Sequence, residues 1–156
     1  MLKMSELKRI SKGQTCFIPN QDWYFDGHCL IHRVLLPRDF NPGMKEYFIN
    51  FLKAPEHNIL SHEKNMDEFI EKYDTDTPEV LHKTPWLHES SLGLKRLYRS
   101  DDGKELFIDE KYVQALSIPE LYTRNIGQEP LWNSNRTFFC MPIIEEDYTY
   151  YEEEAA

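Results

Sequence analysis

The sequence predicts an α+β fold: a single domain over residues 1–144 with a mainly antiparallel sheet, short helices in the middle, and an acidic tail over 145–156. Three observations carry that reading. Apolar β-type runs stand near both ends, a clear hairpin comes late, and helical periodicity is concentrated between them. The 156 residues suit one domain with a proper core. An aromatic share of 13% supplies large apolar surface to bury, which a disordered chain lacks.

The elements follow in order. Thr15 to Pro19 is a short β-like run after Lys12-Gly13. Asp26-Gly27 is a turn signal between Trp23-Tyr24-Phe25 and a strand expected over His28 to Leu36. That strand carries apolar groups on both faces and ends at Pro37 and Asn41-Pro42-Gly43. Met44, Tyr47, Phe48, Phe51 and Leu52 fall on one helical stripe, so Met44 to Leu52 reads as a helix. A second helix opens at Asn65 as cap, with Glu68 at the capping-box position and Met66, Phe69, Ile70 and Tyr73 as its stripe.

Thr77-Pro78 and Thr84-Pro85 each look like a cap followed by proline at the first helical position, and predict single helical turns. Leu94 to Arg99, Asp101-Asp102-Gly103 and Glu105 to Asp109 read as strand, turn and strand. Glu110 to Leu116 and Pro119 to Asn125 read as short helices, the second ended by Gly127. Thr137 to Ile144 is a last apolar run.

Charge is unevenly placed. The chain carries −9 overall, and Glu145 to Ala156 holds six carboxylates and no base. Residues 1–144 hold 21 acidic and 18 basic residues, so the body is −3. Such a balance disfavours direct nucleic-acid binding and favours a basic protein partner. No apolar run approaches a membrane span, and Met1 to Lys12 lacks the apolar stretch of a signal peptide, so a cytoplasmic protein is expected. Three cysteines, Cys16, Cys29 and Cys140, read as reduced and mostly buried.

Local signatures of chemistry are sparse. On a strand His28 and His32 share a face but stand roughly 13 Å apart, too far for one zinc ion. His57 and His62 are five apart and His82 and His88 six apart, so neither pair converges on a helix face. Cys29-x-x-His32 supplies two ligands only from a turn. No metal or cofactor is therefore expected. Cys140 sits in an apolar run, Cys29 and His28 point to opposite strand faces, and Ser90-Ser91 lacks a nucleophile elbow, so each reads as structural. Asp101-Asp102 are turn residues first, and Asp22 and Asp26 flank an aromatic cluster usable as a platform or as core rim.

The tail is the most distinctive segment. Its carboxylates Glu145, Glu146, Asp147, Glu152, Glu153 and Glu154 are interleaved with Tyr148, Tyr150 and Tyr151. Tyrosines anchor interfaces while carboxylates steer toward a basic surface. The alternative is a solvated end that serves solubility.

The expected function is therefore protein binding, inhibitory in kind, by stoichiometric attachment to a basic or nucleic-acid-handling partner. The contact residues expected are the tail acids and tyrosines with Asp101 and Asp102 behind them. The stretch Lys12-Gly13-Gln14-Thr15-Cys16-Phe17-Ile18-Pro19 with Tyr24-Phe25-Asp26-Gly27 resembles the start of some bacterial toxin-immunity domains. The resemblance implies a toxin-immunity inhibitor and carries over no residue roles, while the small, acidic, cysteine-poor composition also suits a viral or phage anti-defence inhibitor. One alternative is an enzyme whose site is assembled from distant residues, such as His82 and His88 with Glu89. Another is a subunit of a larger assembly with its aromatic surplus at an interface.

Overall fold

The computed structural model describes residues 1–62, 65–91, 93–143 and 150–152. The fold is α+β with mainly antiparallel pairing, as the sequence predicts. Contacts divide the chain into two units: Met1–Asp74 with Thr137–Phe139, and Thr75–Arg136 with Cys140–Ala156.

The first unit opens with helix α1 (Met4–Ser11), which the sequence reading did not anticipate. Leu7 and Ile10, three apart, are its buried stripe, and Glu6 accepts from the Lys3 amide at 2.8 Å. Strands β1 (Cys16–Asn20), β2 (Trp23–Phe25) and β3 (Cys29–His32) form an antiparallel meander. Gly27 sits at φ +83°, the left-handed conformation that favours glycine, in the β2–β3 turn. Asp26 closes that turn from inside: one carboxylate oxygen accepts the His28 and Cys29 amides and the other the Tyr24 hydroxyl, each at 2.9 Å. Asp26 is thus a buried turn residue rather than part of an open platform.

The strand expected to run to Leu36 stops at His32. Its Nδ1 accepts the Val34 amide at 3.1 Å and turns the chain into a 3-10 segment, Arg33–Leu35. Helix α2 (Lys45–Leu52) forms where predicted, but of its expected stripe only Phe48 and Leu52 are buried, while Met44 and Phe51 are exposed. Phe48 lies edge-on to Phe40 at 5.1 Å and stacks on Tyr24 at 6.2 Å. These large rings hold the core, since burying each one stabilises by about 1.5–3 kcal/mol.

Strand β4 (Ile59–Ser61) adds parallel to β1. Helix α3 (Met66–Lys72) is capped by Asn65, whose side chain accepts the Asp67 amide at 2.9 Å. Phe138 and Phe139 of β10 (Phe138–Cys140) complete a sheet of order β4-β1-β2-β3-β10.

The second unit is built on β5 (Glu79–Ser90), β6 (Gly93–Ser100) and β7 (Glu105–Asp109). The Leu94–Asp109 hairpin is as predicted, but the two Thr-Pro pairs do not open helical turns. Pro78 precedes β5, and Pro85 lies within it at a register shift between Lys83 and Leu87. Proline cannot donate to a ladder, and a bulge removes that demand. Thr84 fills the gap: its Oγ1 donates to Leu97 O at 2.7 Å and accepts the Trp86 amide at 3.2 Å.

Helix α4 (Glu110–Ala115) starts on Asp109, whose carboxylate accepts the Lys111 amide at 3.0 Å. The helix expected over Pro119 to Asn125 is instead strand β8 (Glu120–Thr123). Its residues alternate half-buried and buried, and Leu121 faces Leu81 across β5. Strand β9 (Leu131–Trp132) gives the order β9-β8-β5-β6-β7. Tail residues Tyr150–Glu152 form β11, antiparallel to β5, with Tyr150 opposite His88.

Candidate protein-binding face

Register, not sequence proximity, assembles the candidate face. On β8, β5, β6 and β7 the residues Glu120, His82, Arg99 and Glu105 stand directly opposite one another. Directly opposed residues share a sheet face, so these four form one polar row. Arg99 Nη2 lies 3.5 Å from Glu105 Oε2, and His82 Nδ1 lies 3.9 Å from Glu120 Oε1. The second oxygen of Glu120 accepts the Tyr122 hydroxyl at 2.6 Å, and this carboxylate holds the phenol above its ordinary pKa.

The β6–β7 tip carries two acids, of which Asp101 joins the row. Asp101, with a side chain 95% exposed, reaches His82 Nε2 at 3.3 Å. Asp102 turns inward along the chain instead. Its carboxylate accepts the Ser100 hydroxyl, which holds it below the ordinary carboxylate range, with Lys104 nearby as a lesser cause. The Lys104 amide donates back to Ser100 Oγ at 2.9 Å, and Gly103 takes φ +89° to close the turn. Lys104 Nζ also meets Glu79 at 2.9 Å, and Glu79 accepts the Ile126 amide at 2.7 Å. Asp102 therefore shapes the tip while Asp101 faces outward from it.

The tail residues fall into two groups. Tyr150, Tyr151 and Glu152 are backbone partners of His88, Leu87 and Trp86 on β5. Glu145, Glu146, Asp147, Tyr148, Glu153 and Glu154 lie outside the described residues. The second unit carries 16 acidic and 8 basic residues by sequence, a balance of −8, against −1 for the first with 11 and 10. Eight of the nine net negative charges thus belong to the unit that presents the polar row, with six of its 16 acids in the tail.

The residues weighed for catalysis do not converge. His82 is half exposed, His88 is buried against the Phe107 ring at 5.8 Å, and six strand residues separate them by roughly 20 Å. Cys16, Cys29 and Cys140 are buried free thiols. Burial pushes Cys16 up to about 11 and Cys140 higher still. Among the described residues no three His, Cys, Asp or Glu side chains come together as a metal site. No helix of the described residues is long and apolar enough to cross a membrane.

Sequence reasoning found Asp101 and Asp102 as exposed tip acids but missed Glu120, Arg99 and Glu105. Arg99 and Glu105 lie in the hairpin that the sequence predicts and Glu120 in the segment expected as a helix, but only the pairing of four strands sets them in one row. Searches of family models, curated proteins and solved structures return no match to this chain.

Proposed function

We propose that this chain acts by stoichiometric binding to another protein, presenting its acidic second unit to a basic surface. The observation that supports it most is the row Glu120–His82–Arg99–Glu105 with Asp101 standing beyond it, on the unit that carries most of the net charge. Exposed carboxylates arranged this way steer encounter and choose among partners more than they add affinity. Tyr122, part-buried beside Glu120, offers the aromatic body that an interface anchor needs. In this reading the protein is an inhibitor of immunity or anti-defence type, working in the cytoplasm on a partner that handles nucleic acid. The tail acids and tyrosines extend the contact.

The test is capture from an extract of the native host on immobilised full chain, wild type against Asp101→Asn/Glu105→Gln/Glu120→Gln. The expected result is one basic protein held in equimolar amount, released by salt and lost by the variant at unchanged melting temperature. A partner held equally by both, or an acidic partner, would overturn the reading. Comparison with a chain ending at Ile144 then assigns the share of the tail.

A further inference from the structure

The first unit contains a concavity of the opposite sign. A pocket of about 570 Å³ lies between α1 and the segment after α2, within the size range of small-ligand sites. Lys8, Arg9, Lys12 and Lys53 line it, and no carboxylate stands among its described lining residues. Lys8 and Lys12 are four apart on α1 and at its end, so they project from one side. Glu56, next to Pro55 on the rim, is engaged elsewhere, its carboxylate 3.0 Å from Lys45 Nζ.

The ordinary explanation of lysines at a helix end is that they complement the macrodipole. The charges decide against that being enough. Each helix C-terminus presents about −0.5 charge. The ends of α1 and α2 together therefore balance one cation, and even with Arg9, which has a partner of its own, set aside, three lysines line the pocket. Lys53 adds a second sign. It caps α2 in the left-handed conformation, φ 56° and ψ 30°, where glycine or asparagine is the usual choice. A lysine there costs backbone energy and places an ammonium group on the wall.

The remaining walls suit an anion with a small apolar part. Gln14 and Asn58 bring amide groups, while Leu52, Ala54 and Pro55 are apolar. The backbone amides of Gln14, Ala54 and Asn58 already donate to carbonyls, so the side chains must supply the recognition. Several cations at one pocket, with no acid among its described lining residues, match a ligand with closely spaced negative charges, and phosphate is a group that ammonium and guanidinium both bind well.

We propose that this pocket binds a small polyphosphate anion through Lys8, Arg9, Lys12 and Lys53. The site is separate from the acidic face of the second unit and does not depend on the protein-binding reading.

The probe is inorganic tripolyphosphate, titrated calorimetrically into the full chain at low salt. One saturable site per chain is expected. Lys12→Gln and Lys53→Gly should each weaken it about tenfold, the loss of one charge-assisted contact. Glycine suits the left-handed position, so Lys53→Gly keeps the fold, and an undiminished melting temperature separates lost binding from lost structure. Three results would overturn the proposal: no saturable binding, binding unchanged in both variants, or binding of a short oligonucleotide that tripolyphosphate fails to displace.

Discussion

Arg96 and Glu110 meet in a two-point ion pair inside the second unit, Nε to Oε2 and Nη2 to Oε1 both at 2.8 Å, with each side chain almost fully buried. A third donor of the guanidinium, Nη1, reaches Thr84 O at 3.2 Å. The pair ties β6 to the first residue of α4 and to the bulge in β5. Removing one partner strands a buried charge, so Glu110→Ala should cost about 3–5 kcal/mol. The double change Arg96→Met/Glu110→Leu should recover much of that loss, because replacing both ions by apolar groups removes the desolvation cost. Urea unfolding of the three chains checks the pattern; a Glu110→Ala loss under 1 kcal/mol would mean that water reaches the pair.

Thr84 is the residue that lets Pro85 sit inside a strand. Its hydroxyl donates to Leu97 O and accepts from the Trp86 amide. Thr84→Val keeps the shape and loses both bonds, and should destabilise by about 1–3 kcal/mol. Thr84→Ser keeps the hydroxyl and should recover most of the urea midpoint. A loss in the serine variant with none in the valine variant would assign the effect to the methyl group instead.

The legible parts of this fold are those whose cause is local. The Asp26-Gly27 turn, the Asp101–Gly103 tip, the α2 helix and the Asn65 cap are legible because neighbouring residues determine them. Strand β5 was not legible, since Pro85 favours a helical start until the distant carbonyl of Leu97 gives Thr84 a partner. Strand β8 was hidden for a similar reason: only β5 rewards its alternation, through Leu81 against Leu121. The candidate face follows the same division. Asp101 is visible as a turn acid, whereas the row from Glu120 to Glu105 exists only once four strands are in register.

Glu79 gives the acid side of stability a specific origin. The Ile126 amide first, and then Lys104, hold its carboxyl below the ordinary value of 4.5. A carboxyl depressed in the folded state contributes fully above the unfolded pKa, and that contribution is lost as pH falls through the folded pKa. Melting temperature should therefore decline below about pH 4.5, and Glu79→Gln should flatten that decline while lowering stability at neutral pH. An identical acid limb in both chains would place the sensitivity at other carboxylates, such as Asp102, which accepts from the Ser100 hydroxyl.

The three thiols should be silent until the chain unfolds. Cys16 packs with its sulfur 3.8 Å from the Tyr24 hydroxyl, and burial outweighs that contact in raising its pKa to about 11. Cys29 donates to Asp26 at 3.7 Å from a buried position, and burial likewise raises Cys140. The thiolate is the reactive form, so at pH 8 Cys16 exposes about one part in a thousand of it even before access is considered. A disulfide reagent such as DTNB should release almost no chromophore from the native chain at pH 8 and three equivalents after denaturation, one for each of the 3 cysteines. Raising the pH toward 10 without unfolding increases the Cys16 thiolate about a hundredfold, so a native reaction that stays slow there places the protection in burial rather than in protonation. One fast equivalent from the native protein would mean that the β1–β2–β3 meander opens readily at Cys16 or Cys29, and that the Tyr24–Asp26 network does not hold it closed.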